Sequence, residues 1–219
     1  SNLAFENMLT HTQSLRSLSL RCPDGLLEDG AVAALRSGLK KNSTLRELTL
    51  VSQSGTTVSP ILTSLRDHPL LQRLCLCGHV VDLTGLETVL LSDNSKITEL
   101  EIDSFNGGPF PGMGLTQALA SRPTLTKLGL NYFAFVRNEM RQLRTVLRNT
   151  LNLQILDLAK NNLRSAGLAE LAPALYHNTS VKELDLSYNN LNDKKSAGLL
   201  RDILRRNKTI TTLQLTGNR

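Results

Sequence analysis

Tryptophan is absent from this 219-residue chain, and all aromatic residues together make up 4% of it. Its core must therefore be built from aliphatic side chains, chiefly leucine. Cysteine is scarce as well. Three residues, an odd number, argue against a disulfide framework and for a reducing compartment. No run approaches the roughly 18 consecutive apolar residues that a membrane span needs. No secretory signal is visible, and Ser1-Asn2 reads as the remnant of a cleaved tag, which places the natural start of the chain elsewhere. There is no Ser/His/Asp pattern and no HExxH, and the one glycine-rich stretch lacks the lysine and the strand-to-helix spacing of a phosphate-binding loop. These absences leave no catalytic residue, cofactor or small-molecule substrate to nominate. What the chain does have is positive charge, a formal +6 with a pI near 9.5. That balance permits nucleic-acid or acidic-membrane binding without requiring it, because the placement of charges matters more than their sum.

One hexamer recurs: LRSLSL at Leu15, LRELTL at Leu45, LQRLCL at Leu71, ITELEI at Ile97, LTKLGL at Leu125, LQILDL at Leu153, VKELDL at Val181 and ITTLQL at Ile210. The starts are separated by 30, 26, 26, 28, 28, 28 and 29 residues. The alternating end of each hexamer predicts a short strand with one buried face. The segments between them carry helical spacing, as with Leu168, Leu171 and Leu175, or Val32, Leu35 and Leu39. One strand and one helix cannot bury their own apolar faces, but stacked copies can.

Two repeats, LQILDLAKNNL and VKELDLSYNNL, place Asn161 and Asn189 three residues beyond the strand, and Asn218 begins a third. An inward-turned amide there can satisfy backbone groups that the turn leaves open. The pattern LxxLxLxxNxL resembles the leucine-rich repeat family. The period near 28 and the full helices resemble its ribonuclease-inhibitor-like subclass. The resemblance covers about Leu15 to Arg219. It implies an α/β solenoid of about eight repeats, with a curved parallel sheet on the concave face and helices on the convex face. Pro23, Gln53, His79, Phe105 and Phe133 depart from the asparagine position, so those turns are expected to be less regular. The whole of 1–219 reads as a single domain. Residues 3–14 form a partial repeat or cap, and the C-terminus stops within a repeat.

In such a solenoid the residues between the buried aliphatics face the concavity. The second row reads Ser19, Thr49, Cys75, Glu101, Gly129, Asp157, Asp185 and Gln214, and contains no basic residue. In the first row Glu99 lies between Arg73 and Lys127, which suits a cross-strand ion pair, while Glu183 lies further on. Asp103 opens the acidic part of the third row. Tyr132 and Tyr188 fall one place past it, at the rim, and exposed tyrosine is a frequent interface anchor. Glu99, Glu101, Asp103, Tyr132, Asp157, Glu183, Asp185 and Tyr188 are thus the candidate partner-binding residues. Like charges in one row suit either a solvated face or a basic partner. Phe105, Phe133 and Phe135 read as core, and Phe110 in the loop from Asn106 to Gly114 is a candidate loop contact or part of a plain connector.

Arg137, Arg141, Arg144 and Arg148 form one helical stripe, and Lys194, Lys195, Arg201, Arg205, Arg206 and Lys208 crowd the last helix. These read as a solvated convex face. Their rival role, contact with nucleic acid, acidic lipid or an acidic protein, is disfavoured. Cys75, Cys77 and His79 lack an evident fourth ligand for zinc, so no metal is expected. The sequons at Asn42, Asn178 and Asn207 share one repeat position, where helix termination explains them without sugar.

These readings converge on a non-catalytic protein-interaction scaffold that binds a basic protein through its concave acidic surface. It would be cytoplasmic, or delivered into a host cytosol, and not membrane-spanning. Two alternatives stay open. One is the regulator of an enzyme, as in the ribonuclease inhibitors and the activating proteins of the Ran GTPase. The other is the sensing part of a larger receptor or microbial effector.

Overall fold

A computed structural model describes residues 2–22, 29–52, 58–78, 83–105, 110, 112–135 and 137–219. Among them eight helices alternate with eight strands, and the parallel strands are ordered as they occur in the chain, without crossovers. The chain divides into two compact units, Ser1–Leu100 and Glu101–Arg219.

The first unit holds α1 (Asn2–His11), β1 (Ser17–Cys22), α2 (Asp29–Lys41), β2 (Glu47–Ser52), α3 (Ser59–Thr63), β3 (Arg73–Gly78) and α4 (Thr84–Leu91). β1, β2 and β3 pair in the register that the hexamers predict: Leu18 with Leu48 and Leu74, Ser19 with Thr49 and Cys75. Along β3, half-buried and buried residues alternate, which is the signature of one covered face. Leu48, Leu50, Leu74 and Leu76 are buried, as are the helix residues Leu35, Leu39, Ile61, Leu62 and Leu86. The repeats that begin at Leu45 and Leu71 are the short ones. Their helices are correspondingly short, five residues in α3 and eight in α4 against 13 in α2.

The second unit takes most of β4 (Glu99–Ser104), then α5 (Met113–Ala120), β5 (Lys127–Asn131), α6 (Arg137–Asn149), β6 (Ile155–Asp157), α7 (Arg164–His177), β7 (Glu183–Asp185), α8 (Lys194–Arg206) and β8 (Thr212–Gln214). Leu128, Leu156, Leu184 and Leu213 are in register, as are Gly129, Asp157, Asp185 and Gln214. The first two rows read from the sequence therefore run from β5 to β8.

Two sets of asparagines close the repeats. At helix ends, Asn42, Asn178 and Asn207 each donate to a carbonyl one repeat back: Leu9 at 2.6 Å, Leu147 at 3.1 Å and Leu175 at 2.7 Å. Each side-chain oxygen then accepts two backbone N–H groups of the approaching strand. The three sequon asparagines thus terminate helices, and their amides are engaged. The second set is Asn161, Asn189 and Asn218, the predicted ladder. Asn161 donates to the carbonyls of Leu130 and Leu158 and accepts from the N–H of Phe133 at 2.6 Å. Of the positions expected to be irregular, Pro23, Gln53 and His79 lie outside the described residues. Phe133 is buried, and its N–H is satisfied by Asn161. Phe105 contradicts the core expectation: it is 49% exposed and packs edge-on against Tyr132, with ring centroids 6.1 Å apart.

Candidate functional site

The strand face turned away from the helices in the second unit carries the candidate residues other than Glu99, which belongs to the first unit, and Phe110. They are held by a turn that repeats after each strand. Tyr132, Lys160, Tyr188 and Gly217 occupy the same place in successive repeats, and all four have left-handed backbone (φ 62°, 62°, 56° and 69°). That conformation is uncommon for side chains other than glycine and asparagine. The backbone bonds of the turn hold it in place: the N–H groups of Lys160 and Tyr188 donate to Ser187 and Thr216 at 2.9 and 2.8 Å. The left-handed residue projects sideways out of the turn, so the three side chains form a rank. The Lys160 ammonium lies over the Tyr132 ring at 4.5 Å and near the Tyr188 ring at 5.7 Å.

Behind this rank is a 380 Å³ cavity lined by Asp103, Asn131, Asp157, Asp185, Ser187 and the two tyrosines, among others. Its acids are not equivalent. Asp157 and Asp185 each accept the backbone N–H two residues on, Ala159 at 3.0 Å and Ser187 at 2.8 Å. They are turn-closing residues, the Asp version of a side-chain-to-backbone turn. Asp157 also accepts from the Asn131 amide at 2.9 Å. Asp103 differs. Burial pushes its carboxyl above the usual range, the Asn131 hydrogen bond pulls it back, Asp157 and Glu101 push it further up, and the Lys160 ammonium of the same cavity lowers it. Asp103 Oδ1 and Asn131 Oδ1 are both shielded from solvent and accept no hydrogen bond among the described residues.

The remaining candidates divide. Glu101 is not the unaccompanied acid that its row implied: Lys127 reaches diagonally from the first row and pairs with it at 2.5 Å. Lys127 is therefore committed to Glu101, and Glu99 pairs with Arg73 at 3.8 Å with both side chains about two-fifths exposed. A pair so open to water contributes little. Glu183 is exposed on β7 beside Ile155 and Thr212. Tyr188 is 51% exposed, as the rim position required, and Tyr132 is half-buried. Phe110 is corrected outright. It is 4% exposed and packs against Phe133 and Phe135 with centroids 5.5 and 5.1 Å apart. An aromatic side chain in a Pro/Gly loop beside two other phenylalanines gains more from that cluster than from water.

The sequence reading missed Lys160 and Asn131. The signal was present for Lys160: aligning AKNN with SYNN puts it at the tyrosine position. On the helix side, Glu170 of α7 holds both Arg137 (2.8 Å) and Arg141 (3.2 Å) of α6, so half of that arginine stripe ties two repeats together. On β3 the sulfurs of Cys75 and Cys77 lie 3.3 Å apart, while His79 falls outside the described residues. Among the described residues no cluster of three or more His, Cys, Asp or Glu could hold a metal, and no helix is long and apolar enough to cross a membrane.

Comparison with known proteins agrees with this geometry. A family model described as Leucine Rich repeat matches residues 151–172 and 177–194, the two repeats with the full asparagine signature. Among curated proteins the chain is 30% identical over 207 residues to the mouse (Mus musculus) NACHT, LRR and PYD domains-containing protein 14, covering 91% of the chain and 20% of that protein. It is 26% identical over 220 residues to the human (Homo sapiens) protein 5 of the same description, covering 97% and 18%, and 28% identical over 249 residues to the human protein 13, covering 97% and 23%. The chain thus spans about a fifth of the length of the relatives it matches. Parallel strands in hexamer register, the asparagine ladder that closes their turns and the matched repeats together make this chain a leucine-rich-repeat solenoid.

Proposed function

We propose that the chain is a non-catalytic interaction scaffold. Its contact surface is the acidic, tyrosine-bearing strand face of the second unit, and its partner is a protein presenting a basic side chain. The observation that carries this is the pair of solvent-shielded acceptors, Asp103 Oδ1 and Asn131 Oδ1, in a cavity flanked by Tyr132 and Tyr188. Buried acceptors without donors are costly. Arginine and lysine side chains bring only donors, and a partner's cation would share the tyrosine rank with Lys160. Asp157 and Asp185 add negative potential while closing their turns, and Glu101 and Glu183 lie at the edge. Glu99, paired with Arg73 in the other unit, stays outside this site.

The relatives' names join the repeats to NACHT and PYD domains, which favours the reading of this chain as the repeat portion of a larger receptor. A cytosolic setting accords with Cys75 and Cys77, half-buried and not joined in a disulfide. The 28-residue period favours the ribonuclease-inhibitor-like subclass, and the solenoid as one domain.

The test is affinity capture with the wild type, with Tyr132→Ala/Tyr188→Ala and with Asp103→Asn, after melting curves show that all three are folded. A basic partner held by the wild type and lost by both variants supports the site. Equal retention by all three would remove it.

A further inference from the structure

The first unit carries a second cavity, on its helix side, that has no part in the strand face. α3 is five residues long where α2 has 13, and the missing turns leave a 720 Å³ groove between them. That volume is within the range of ligand sites, roughly 300–1,000 Å³. Ala33, Arg36, Ser37 and Lys40 form one stripe of α2 and make one wall. Thr63, Ser64, Arg66, Asp67 and His68, at the end of α3 and the turn after it, make the other.

The charges in this groove are unequal. Arg36, Lys40 and Arg66 make no ion pair within hydrogen-bonding reach among the described residues. The nearby acids already accept hydrogen bonds. Asp67 accepts from Ser92 Oγ at 2.7 Å and Asn94 Nδ2 at 3.3 Å, and Glu6 accepts from Ser37 Oγ at 2.5 Å and Lys41 Nζ at 2.9 Å.

His68 adds an independent observation. It is 5% exposed and stands where other repeats place the helix-ending asparagine. Its Nδ1 accepts from the backbone N–H groups of Leu71 and Leu70 at 3.2 and 3.4 Å, the task of the asparagine oxygen elsewhere. Those donors fix the tautomer, so Nε2 carries the proton. This Nε2–H is buried and has no acceptor among the described residues. A buried donor without an acceptor, in the wall of a groove with three uncommitted cations, lacks a ligand that is anionic and rich in acceptors.

We infer that this groove binds a polyphosphoryl group, with Arg36, Lys40 and Arg66 pairing with its oxygens and His68 Nε2–H donating to one of them. Arginine matches two phosphoryl oxygens at once, and lysine serves as a point charge. A soluble polyphosphate and the headgroup of a phosphorylated lipid share this chemistry.

The test uses the full chain and inorganic tripolyphosphate in isothermal titration at 0.15 M salt. A parallel arm uses phosphatidylcholine vesicles with and without a phosphatidylinositol bisphosphate. Two variants accompany the wild type: Arg36→Ala/Lys40→Ala/Arg66→Ala, and His68→Asn. The second keeps the backbone acceptor that asparagine supplies at Asn42, Asn178 and Asn207, and replaces the ring donor with an amide that those asparagines direct to a carbonyl one repeat back. The expected result is one saturable tripolyphosphate site, lost in the triple variant and weakened about tenfold by His68→Asn. Tighter binding to the phosphorylated vesicles than to tripolyphosphate would assign the group to a lipid, and the reverse to a soluble ligand. No binding in either arm overturns the inference. So does binding unchanged in the triple variant, or binding that His68→Asn leaves untouched, which would reduce the groove to diffuse positive charge. Should His68→Asn fail to fold, the triple variant still decides.

Discussion

The backbone N–H of Asn161 donates to the side-chain oxygen of Asn189 at 3.0 Å, and that oxygen also accepts the N–H of Leu163 at 3.2 Å. Asn189 N–H in turn donates to Asn218 Oδ1 at 2.8 Å. Each repeat's turn is thus completed by the amide of the next. Asn189→Ala removes the acceptor of two buried N–H groups at once. The expected loss is about 3 kcal/mol in urea unfolding, since each orphaned group costs roughly 1–3 kcal/mol. Asn218→Ala, at a partly exposed rung, should cost about 1 kcal/mol. Equal losses at the two positions would deny the ladder its burial-dependent role.

Asp103 gives a pH dependence of definite sign. Its folded pKa is raised, chiefly by burial, so between the unfolded value and the raised folded one the native state holds more protons than the unfolded state. Stability from this group therefore falls as pH rises through that window and recovers on acidification. Asp103→Asn should remove this contribution, stabilise the chain at pH 7 by about 1 kcal/mol or less, and flatten the slope between mildly acidic and neutral pH. Chemical denaturation at several pH values measures it.

His68 works in the opposite pH sense. Burial pushes its pKa from 6.5 down to about 4, so charging it opposes the fold. Arg36, Lys40, Arg66 and Asp67 line the same groove, but burial is the cause of the shift. The neutral ring's contribution is complete above pH 6.5 and is lost as pH falls toward 4. The loss should be on the order of 2 kcal/mol, and His68→Asn should abolish it. Melting temperatures of wild type and variant between pH 7 and pH 4 provide the comparison.

Gly217 separates shape from stability. A Cβ at this position would stand 2.3 Å from Tyr188 Cδ1 and Cε1, and its φ of 69° disfavours any L side chain. Since Tyr188 is half exposed, its ring can swing aside. Gly217→Ala should cost only about 1 kcal/mol while displacing Tyr188. If the tyrosine rank is the contact surface, this variant should lose partner capture as Tyr188→Ala does. Undiminished capture would take Tyr188 out of the site.

The strands, their register and the asparagine ladder were legible because period-two alternation and a 28-residue repeat are local, linear signals: LQILDLAKNNL already names its buried leucines and its turn-closing amide. The tyrosine positions were legible for the same reason. Phe110 was not, because nothing local says that a loop phenylalanine finds Phe133 and Phe135 more than 20 residues away. Glu101 was misread because rows were taken straight across the strands, whereas the long Lys127 side chain reaches diagonally.

The sequence by itself determined the repeat, the aliphatic core, the inward faces of the strands and the residues that end each helix, since each follows from spacing along one chain. Only the tertiary structure decided which charges are paired and which are left open. It gave Lys127 to Glu101 and Glu170 to two arginines, left Asp103 Oδ1 and His68 Nε2 without partners among the described residues, and opened a basic groove beside a short helix. Charge pairing is a matter of a few ångströms between side chains whole repeats apart, and distance of that kind is written in no single stretch of sequence.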